Sequence, residues 1–212
     1  MSSIVIIDYG MGNTKSVQRG IEQVGATATL SADPDVISRA GHLILPGVGA
    51  FEDGMAGLKK YELVEPILRF VKSGKPLMGI CLGMQMLLDK SEEHGEHQGL
   101  GLIPGVVEEI PRESNGVFRK IPHIGWNALK QVDGGCDWKD SYLSHTKISD
   151  FVYFVHSYMA VPTHKQHLLS QCEYEGLSIN AAIKRDNITG FQFHPEKSGV
   201  IGLNILKEFI SS

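Results

Sequence analysis

No stretch of this 212-residue chain stays apolar for the roughly 20 residues that a membrane helix needs, so no membrane is expected as a partner. There is no block of lysine and arginine either. With 20 basic against 24 acidic side chains the formal net charge is −4, which leaves nothing for nucleic acid to bind. Cysteine is scarce: Cys81, Cys136 and Cys172 have no metal-ligand spacing and do not make an even set. A disulfide framework is therefore not expected, and a reducing cytoplasm is. His94 and His97 stand among Glu and Gly with no third ligand nearby, so they read as a solvated loop and no metal is expected. The N-terminal stretch has no basic region ahead of Ile4–Ile7 and meets Asp8 and a glycine turn at once. It reads as a first strand, not a signal peptide. Internal repeats, linkers and low-complexity segments are missing too, so residues 1–212 read as one domain, long enough to bury a core.

Glycine, by contrast, is plentiful: 24 residues, many of them between short apolar runs. Ile4–Ile7 is a continuous apolar run, the mark of a buried parallel strand. After a glycine turn at Asp8–Asn13, Val17, Ile21 and Val24 predict a helix from about Thr14 to Val24, stopped by Gly25. Ala26–Leu30 reads as a second strand and Asp33-Pro34 as the start of a short helix. Leu43–Leu45 reads as a third strand, running into Pro46-Gly47-Val48-Gly49-Ala50-Phe51. Helices are expected near Glu52–Lys59 and Leu63–Lys72, then a strand over Pro76–Ile80 and a helix to about Lys90. This alternation predicts an α/β fold: an open, mostly parallel sheet with flanking helices, whose sites gather at the carboxyl ends of strands. Glu92–Gly101 is polar and reads as a loop. Beyond it the texture changes. Val106–Ile110, Trp126–Lys130, Phe151–Val155, Leu168–Cys172 and Ala181–Lys184 read as antiparallel strands added to the sheet. Ser114–Gly116 and Asp133–Lys139 read as exposed turns. Ile188–Phe193 returns to the core, and Ser198–Ile210 closes the chain with a helix carrying Ile201, Ile205, Leu206 and Phe209.

Lys75–Gln85 reads KPLMGICLGMQ: an apolar run, Gly79-Ile80-Cys81-Leu82-Gly83, then Met84, Leu87 and Leu88 at helical spacing. Strand, tight turn and helix in that order form a nucleophile elbow, with Cys81 as the reactive group. A Cβ on either glycine would strike the neighbouring strand or helix. At a helix N-terminus the dipole and unpaired N–H groups favour a thiolate, and the Leu82 N–H points where an oxyanion develops. Taken alone, the stretch favours a nucleophile only modestly over a buried structural cysteine. Gly190–Ser198, GFQFHPEKS, bears on the choice. With Pro195 holding the chain extended, residues two apart face one side, so Glu196 reaches one nitrogen of His194 and leaves the other for Cys81. That is the nucleophile, base and orienting group of thiol-based acyl transfer. The turn at Gly47, Val48 and Gly49 offers backbone N–H groups that a peptide flip would add to the Leu82 N–H as an oxyanion hole; by itself it suits an ordinary strand–helix turn.

The Gly-Ile-Cys-Leu-Gly-Met-Gln and Phe-His-Pro-Glu strings resemble the class I (triad) glutamine amidotransferases, and the resemblance runs from about Ile4 to Phe209. It implies a flavodoxin-like fold, no cofactor, and hydrolysis of glutamine through a γ-glutamyl thioester on Cys81 with release of ammonia. It implies that Gln85 binds the substrate and that Glu93, with Glu92 as the neighbouring candidate, takes the α-ammonium. His156, Ser157 and Tyr158 are implied to line the pocket and meet the α-carboxylate. The PGVGAF string and Pro122-His123-Ile124-Gly125-Trp126-Asn127 are similar to one branch, the glutaminase subunits of imidazole glycerol phosphate synthase. That implies a (β/α)8-barrel cyclase partner in histidine biosynthesis, docked on a face with Asn13, His123, Trp126, Tyr153 and Lys197. Composition alone would put Trp126 in the core. Thr14 and the stretch Gly134–Ser144 depart from the branch pattern without touching the triad. Three alternatives stand: a paralogous glutaminase subunit feeding a sugar amidotransferase for surface polysaccharide, a thiol hydrolase or deglycase on a similar fold, and a non-catalytic regulatory subunit.

Overall fold

The computed structural model describes residues 3–114 and 116–212. Strand and helix alternate through its first part: β1 (Ile4–Ile7), α1 (Thr14–Gln23), β2 (Ala28–Ser31), α2 (Pro34–Arg39), β3 (His42–Gly47), α3 (Phe51–Lys60), α4 (Val64–Lys72) and β4 (Leu77–Cys81). Local chemistry sets the boundaries. Asp33 accepts the Asp35 N–H at 2.8 Å and Pro34 takes the first helical position of α2. Helix α3 carries Glu52 and Asp53 in its first turn and Lys59 and Lys60 in its last, the arrangement its dipole favours. Strands β1, β3 and β4 are buried at every residue, as central parallel strands covered on both faces should be.

The chain continues through α5 (Leu82–Met86), β5 (Leu88–Ser91), β6 (His97–Gln98), β7 (Ile103–Glu109), β8 (Glu113–Ser114), β9 (Val117–Phe118), β10 (His123–Ala128) and β11 (Lys130–Gln131). It ends with β12 (Phe151–His156), β13 (Tyr158–Pro162), β14 (Leu168–Tyr174), β15 (Leu177–Arg185), β16 (Ile188–Phe191) and α6 (Gly199–Ile210). The main sheet has the order β11-β14-β15-β16-β4-β3-β1-β2. From β16 to β2 neighbours are parallel, and from β11 to β16 they are antiparallel. A four-stranded sheet β13-β7-β5-β6 and the antiparallel pair β10–β12 complete the pattern. Side chains alternate across the main sheet. Ile6, Ile44 and Ile80 pack on one face with Val17 and Ile21 of α1 and Phe209 of α6. Ile7, Leu43 and Leu45 pack on the other with Phe51 and Leu58 of α3 and Phe70 of α4.

Two expectations need correction. The helix after the elbow ends at Met86 instead of Lys90. The carbonyls of Met86, Leu87, Leu88 and Asp89 accept N–H groups from residues 99–103, so Leu88–Ser91 leaves the helix and pairs with β7 and β6. Long-range strand pairing here overrides helical spacing. Within the expected exposed turn Asp133–Lys139, Trp138 is buried and donates its indole N–H to the Leu169 carbonyl at 2.7 Å. Of the turn expected at Ser114–Gly116, residue 115 lies outside the described residues; Glu113 and Ser114 pair with Phe118 and Val117 in a short hairpin.

Candidate active site

The register of three parallel strands assembles the site. Gly47 of β3 lies opposite Cys81 of β4, and Phe191 of β16 lies opposite Ile80. The chain therefore leaves β3, β4 and β16 at one level, side by side. Cys81 has φ 54° and ψ −110°, a backbone conformation that a residue with a Cβ takes only when its surroundings force it. The glycines two residues either side are the reason it is reachable. A Cβ on Gly83 would overlap the Leu45 carbonyl oxygen, and one on Gly79 would lie 2.8 Å from the Gly83 carbonyl oxygen. Helix α5 thus sits directly on β3 and β4, and Cys81 stands at its first turn, where helical N–H groups lack partners.

His194 donates from Nδ1 to Glu196 Oε1 at 2.7 Å, with side chains 2% and 1% exposed. The route differs from the expected extended chain. Pro195–Lys197 forms a turn of 3-10 helix, and it is this turn that brings the carboxylate back under the ring. Ser198 locks the turn: its hydroxyl donates to the His194 carbonyl at 2.7 Å and accepts the Tyr153 N–H at 3.0 Å. The His194 N–H donates to the Tyr153 carbonyl at 3.0 Å, so β12 and the turn are laced together. Burial pushes the imidazole down, but Cys81 and Glu196 outweigh it and raise it to about 9. Nε2 closes no hydrogen bond of its own among the described residues, while the Cys81 thiol donates to the Val155 carbonyl at 3.9 Å. The attraction between ring and sulfur is thus a close electrostatic approach in an open hollow, not a completed bond.

That hollow has a volume of about 330 Å³, and Cys81, Leu82 and His194 share it with Val48 and Gly49, Gln85, Glu93, His156, Ser157 and Tyr158. Gly47 is different. It is buried inside β3, where a Cβ would come within 2.7 Å of the Tyr9 hydroxyl oxygen, and it does not line the hollow. The Tyr9 hydroxyl donates to the Pro46 carbonyl at 2.8 Å and so braces the turn from below; burial, then Cys81, pushes this phenol upward. Gly49 sits at φ +100°, which leaves the Val48–Gly49 peptide in a glycine conformation at the mouth. Glu93 Oε2 accepts the Phe51 N–H at 2.7 Å, supplying the cap that Ala50 cannot give α3. Its carboxylate is thereby fixed against one wall.

A second kind of histidine lines the same hollow. His156 donates from Nδ1 to the Tyr158 carbonyl at 2.8 Å, and its Nε2 lies 2.9 Å from Nδ1 of His123. The carbonyl fixes the tautomers: His156 Nε2 must accept, so His123 Nδ1 donates. Burial lowers both, His156 to about 3 and His123 to about 4. His123 therefore requires a correction. It is 2% exposed, stacked between Phe154 and Tyr174, because alternation along β10 sends it inward. Its neighbours on that strand point out: Ile124 is exposed, and Trp126, 54% exposed, meets Tyr153 edge-on at 6.1 Å. Phe151 joins them from β12, and Asn13 and Lys197 are exposed as well.

Sequence reasoning passed over Tyr9 and Val155, described above, and two further residues of this region. Ser198 is one, and nothing in its neighbours marks its bracing role. Gln192 is the other: fully buried, it donates from Nε2 to Cys81 Sγ at 3.7 Å and accepts from Gln85 Nε2 at 3.1 Å. The rule applied to His194 and Glu196, that residues two apart on an extended chain share a side, would have found Gln192 two residues before His194.

Residues 5–211 match the family described as glutamine amidotransferase class-I. The chain is 50% identical over 211 residues to the imidazole glycerol phosphate synthase subunit HisH 1 of Legionella pneumophila (strain Lens), covering 99% of both chains. It is 47% identical to the subunit HisH of Aquifex aeolicus, over 97% of this chain and 94% of that one. Its fold resembles that of PurLQS from Thermotoga maritima, with a TM-score of 0.74, 18% identity and coverage of 100% and 99%. A crystal structure of a glutamine amidotransferase gives 0.73 at 15% identity, over 99% and 98%.

Proposed function

Because the chain belongs to the class I glutamine amidotransferases, we propose that the hollow binds glutamine and that Cys81, His194 and Glu196 hydrolyse its side-chain amide. One observation carries the reading: a glycine-flanked cysteine at a strained elbow shares a hollow with a buried His–Glu pair delivered from more than a hundred residues away. The Cys81 sulfur gives its proton to His194 Nε2 and attacks the carboxamide carbon. The Leu82 N–H, with an N–H from the Val48–Gly49 peptide once that peptide turns, holds the oxyanion. His194 protonates the departing nitrogen as the C–N bond breaks, so ammonia leaves and a γ-glutamyl thioester remains. Water then gives a proton to the same nitrogen and attacks the thioester, and glutamate and the thiol are restored. Glu196 holds the ring so that Nε2 faces the sulfur throughout. Glu93 meets the α-ammonium of glutamine, and Ser157 and Tyr158 meet its α-carboxylate. Gln85 contributes its carbonyl oxygen, since its N–H groups are already bonded to Tyr158 O and Gln192 Oε1.

The chain acts as the glutaminase subunit of an imidazole glycerol phosphate synthase, in line with the names of relatives 45–50% identical over nearly its whole length. Its partner is the cyclase subunit, a (β/α)8 barrel that uses the ammonia. We place the docking face at Ile124, Trp126 and Phe151, whose large apolar side chains stand in solvent, with half-buried Tyr153 against Trp126 and with Asn13 and Lys197 at its flanks. Residues 1–212 serve as a single domain, and the setting is the cytoplasm, where three free cysteines remain reduced. The test is glutamate release from glutamine by the wild type and by Cys81→Ala, alone and with a cyclase subunit. Activity retained by Cys81→Ala would overturn the chemistry. An active chain that neither binds nor is stimulated by the cyclase would overturn the client and favour a sugar amidotransferase.

A further inference from the structure

Resting on that reading of Cys81, we infer that Gln192 is a further catalytic residue, a hydrogen-bond donor to the nucleophilic sulfur, aimed by Gln85. The direction of every bond follows from one backbone carbonyl. Tyr158 O has no hydrogen to give, so the side-chain group of Gln85 at 3.0 Å from it is the NH2. The other hydrogen of that NH2 goes to Gln192 at 3.1 Å, so the atom of Gln192 facing Gln85 is its oxygen. The remaining end of the Gln192 amide is then its NH2, and it faces Cys81 Sγ at 3.7 Å. Tyr158 O is itself pinned by the Nδ1–H of His156. Gln192 is fully buried and Gln85 nearly so, hence neither amide turns without breaking a bond that water cannot replace.

A donor held against sulfur favours the thiolate over the thiol. Gln192 is fully buried and does not line the hollow, so the oxyanion is left to Leu82. Gln85 acts through Gln192 and is a positioning residue in addition to lining the hollow.

The measurement is the rate of Cys81 carbamidomethylation by iodoacetamide across pH, followed by mass spectrometry on the full chain, with thermal unfolding in parallel. Gln192→Met keeps the volume and loses the donor. We expect roughly tenfold slower alkylation at pH 7 and an alkaline shift of the profile, on the scale of a hydrogen bond to a charged group. Gln85→Met leaves Gln192 in place but unlocked, with an expected loss of about threefold. The double variant should match Gln192→Met, since the first acts through the second. A folded Gln192→Met with the wild-type rate and profile overturns the inference. Should Gln192→Met fail to fold, an unchanged profile in Gln85→Met overturns it instead. If wild-type Cys81 reacts no faster than Cys136 or Cys172, it is the proposed function that fails.

Discussion

The two walls of the hollow hold the same side chain in opposite states. On one, His194 is raised to about 9; on the other, His156 is lowered to about 3, and both are almost fully buried. Burial pushes each ring down, so burial does not explain the difference. What differs is the company. His194 has a carboxylate on Nδ1 and a thiol before Nε2. His156 has a carbonyl on one nitrogen and a second histidine on the other, and His194 lowers it further. One wall is built to hold and pass a proton, the other to refuse one.

Removing the proton-handling wall has the largest effect. His194→Ala should cut glutamate release by roughly 10³-fold or more, measured by steady-state kinetics at saturating glutamine. Glu196→Gln removes the anion and keeps the shape; the His194 resonance in an NMR titration should then change charge well below pH 9, and activity should fall by about two to four orders of magnitude. No change in that titration would deny the ring its carboxylate support.

Stability against pH separates the two walls next. A folded value raised above the unfolded one means that His194 contributes fully below about pH 6.5 and loses its contribution as pH rises through about 9. His156 and His123 have lowered folded values, so the unfolded chain binds their protons first and stability falls as pH drops below about 6.5 toward 4. Urea midpoints should therefore fall on both sides of neutrality. Glu196→Gln should flatten the alkaline side and His123→Phe the acid side, each leaving the other side unaltered. The smallest effect on the chain itself is expected from Trp126→Ala. Its urea midpoint should shift by less than about 1 kcal/mol in stability, while calorimetry with the cyclase shows weakened binding.

Much of the fold is legible because its signals are local. The β1, β3 and β4 runs are apolar throughout, and Asp33-Pro34 or Gly25 mark helix ends without help from elsewhere. The elbow helix misled because Met84, Leu87 and Leu88 are equally apolar in a helix and in a strand that pairs with residues 97–107; partners far along the chain decided. The triad residues were readable as motifs, yet the 3-10 turn that carries Glu196 was not, since a proline fits an extended chain and a helical first turn equally well. His123 was misplaced because a motif names a stretch, whereas only strand alternation says which of its members face outward. Gln192 and Ser198 carry no signature at all apart from their distance to His194.

Strand β12 is one backbone thick, and both of its sides are occupied. Its carbonyl at Val155 holds the sulfur's proton, its peptide at Tyr153 grips the turn that bears the base, and the side chains of Phe151 and Tyr153 lie on the outer surface. Whatever settles on that outer surface therefore rests on the strand whose backbone holds both the nucleophile and the turn of the base, and a shift in the strand reaches both of them together.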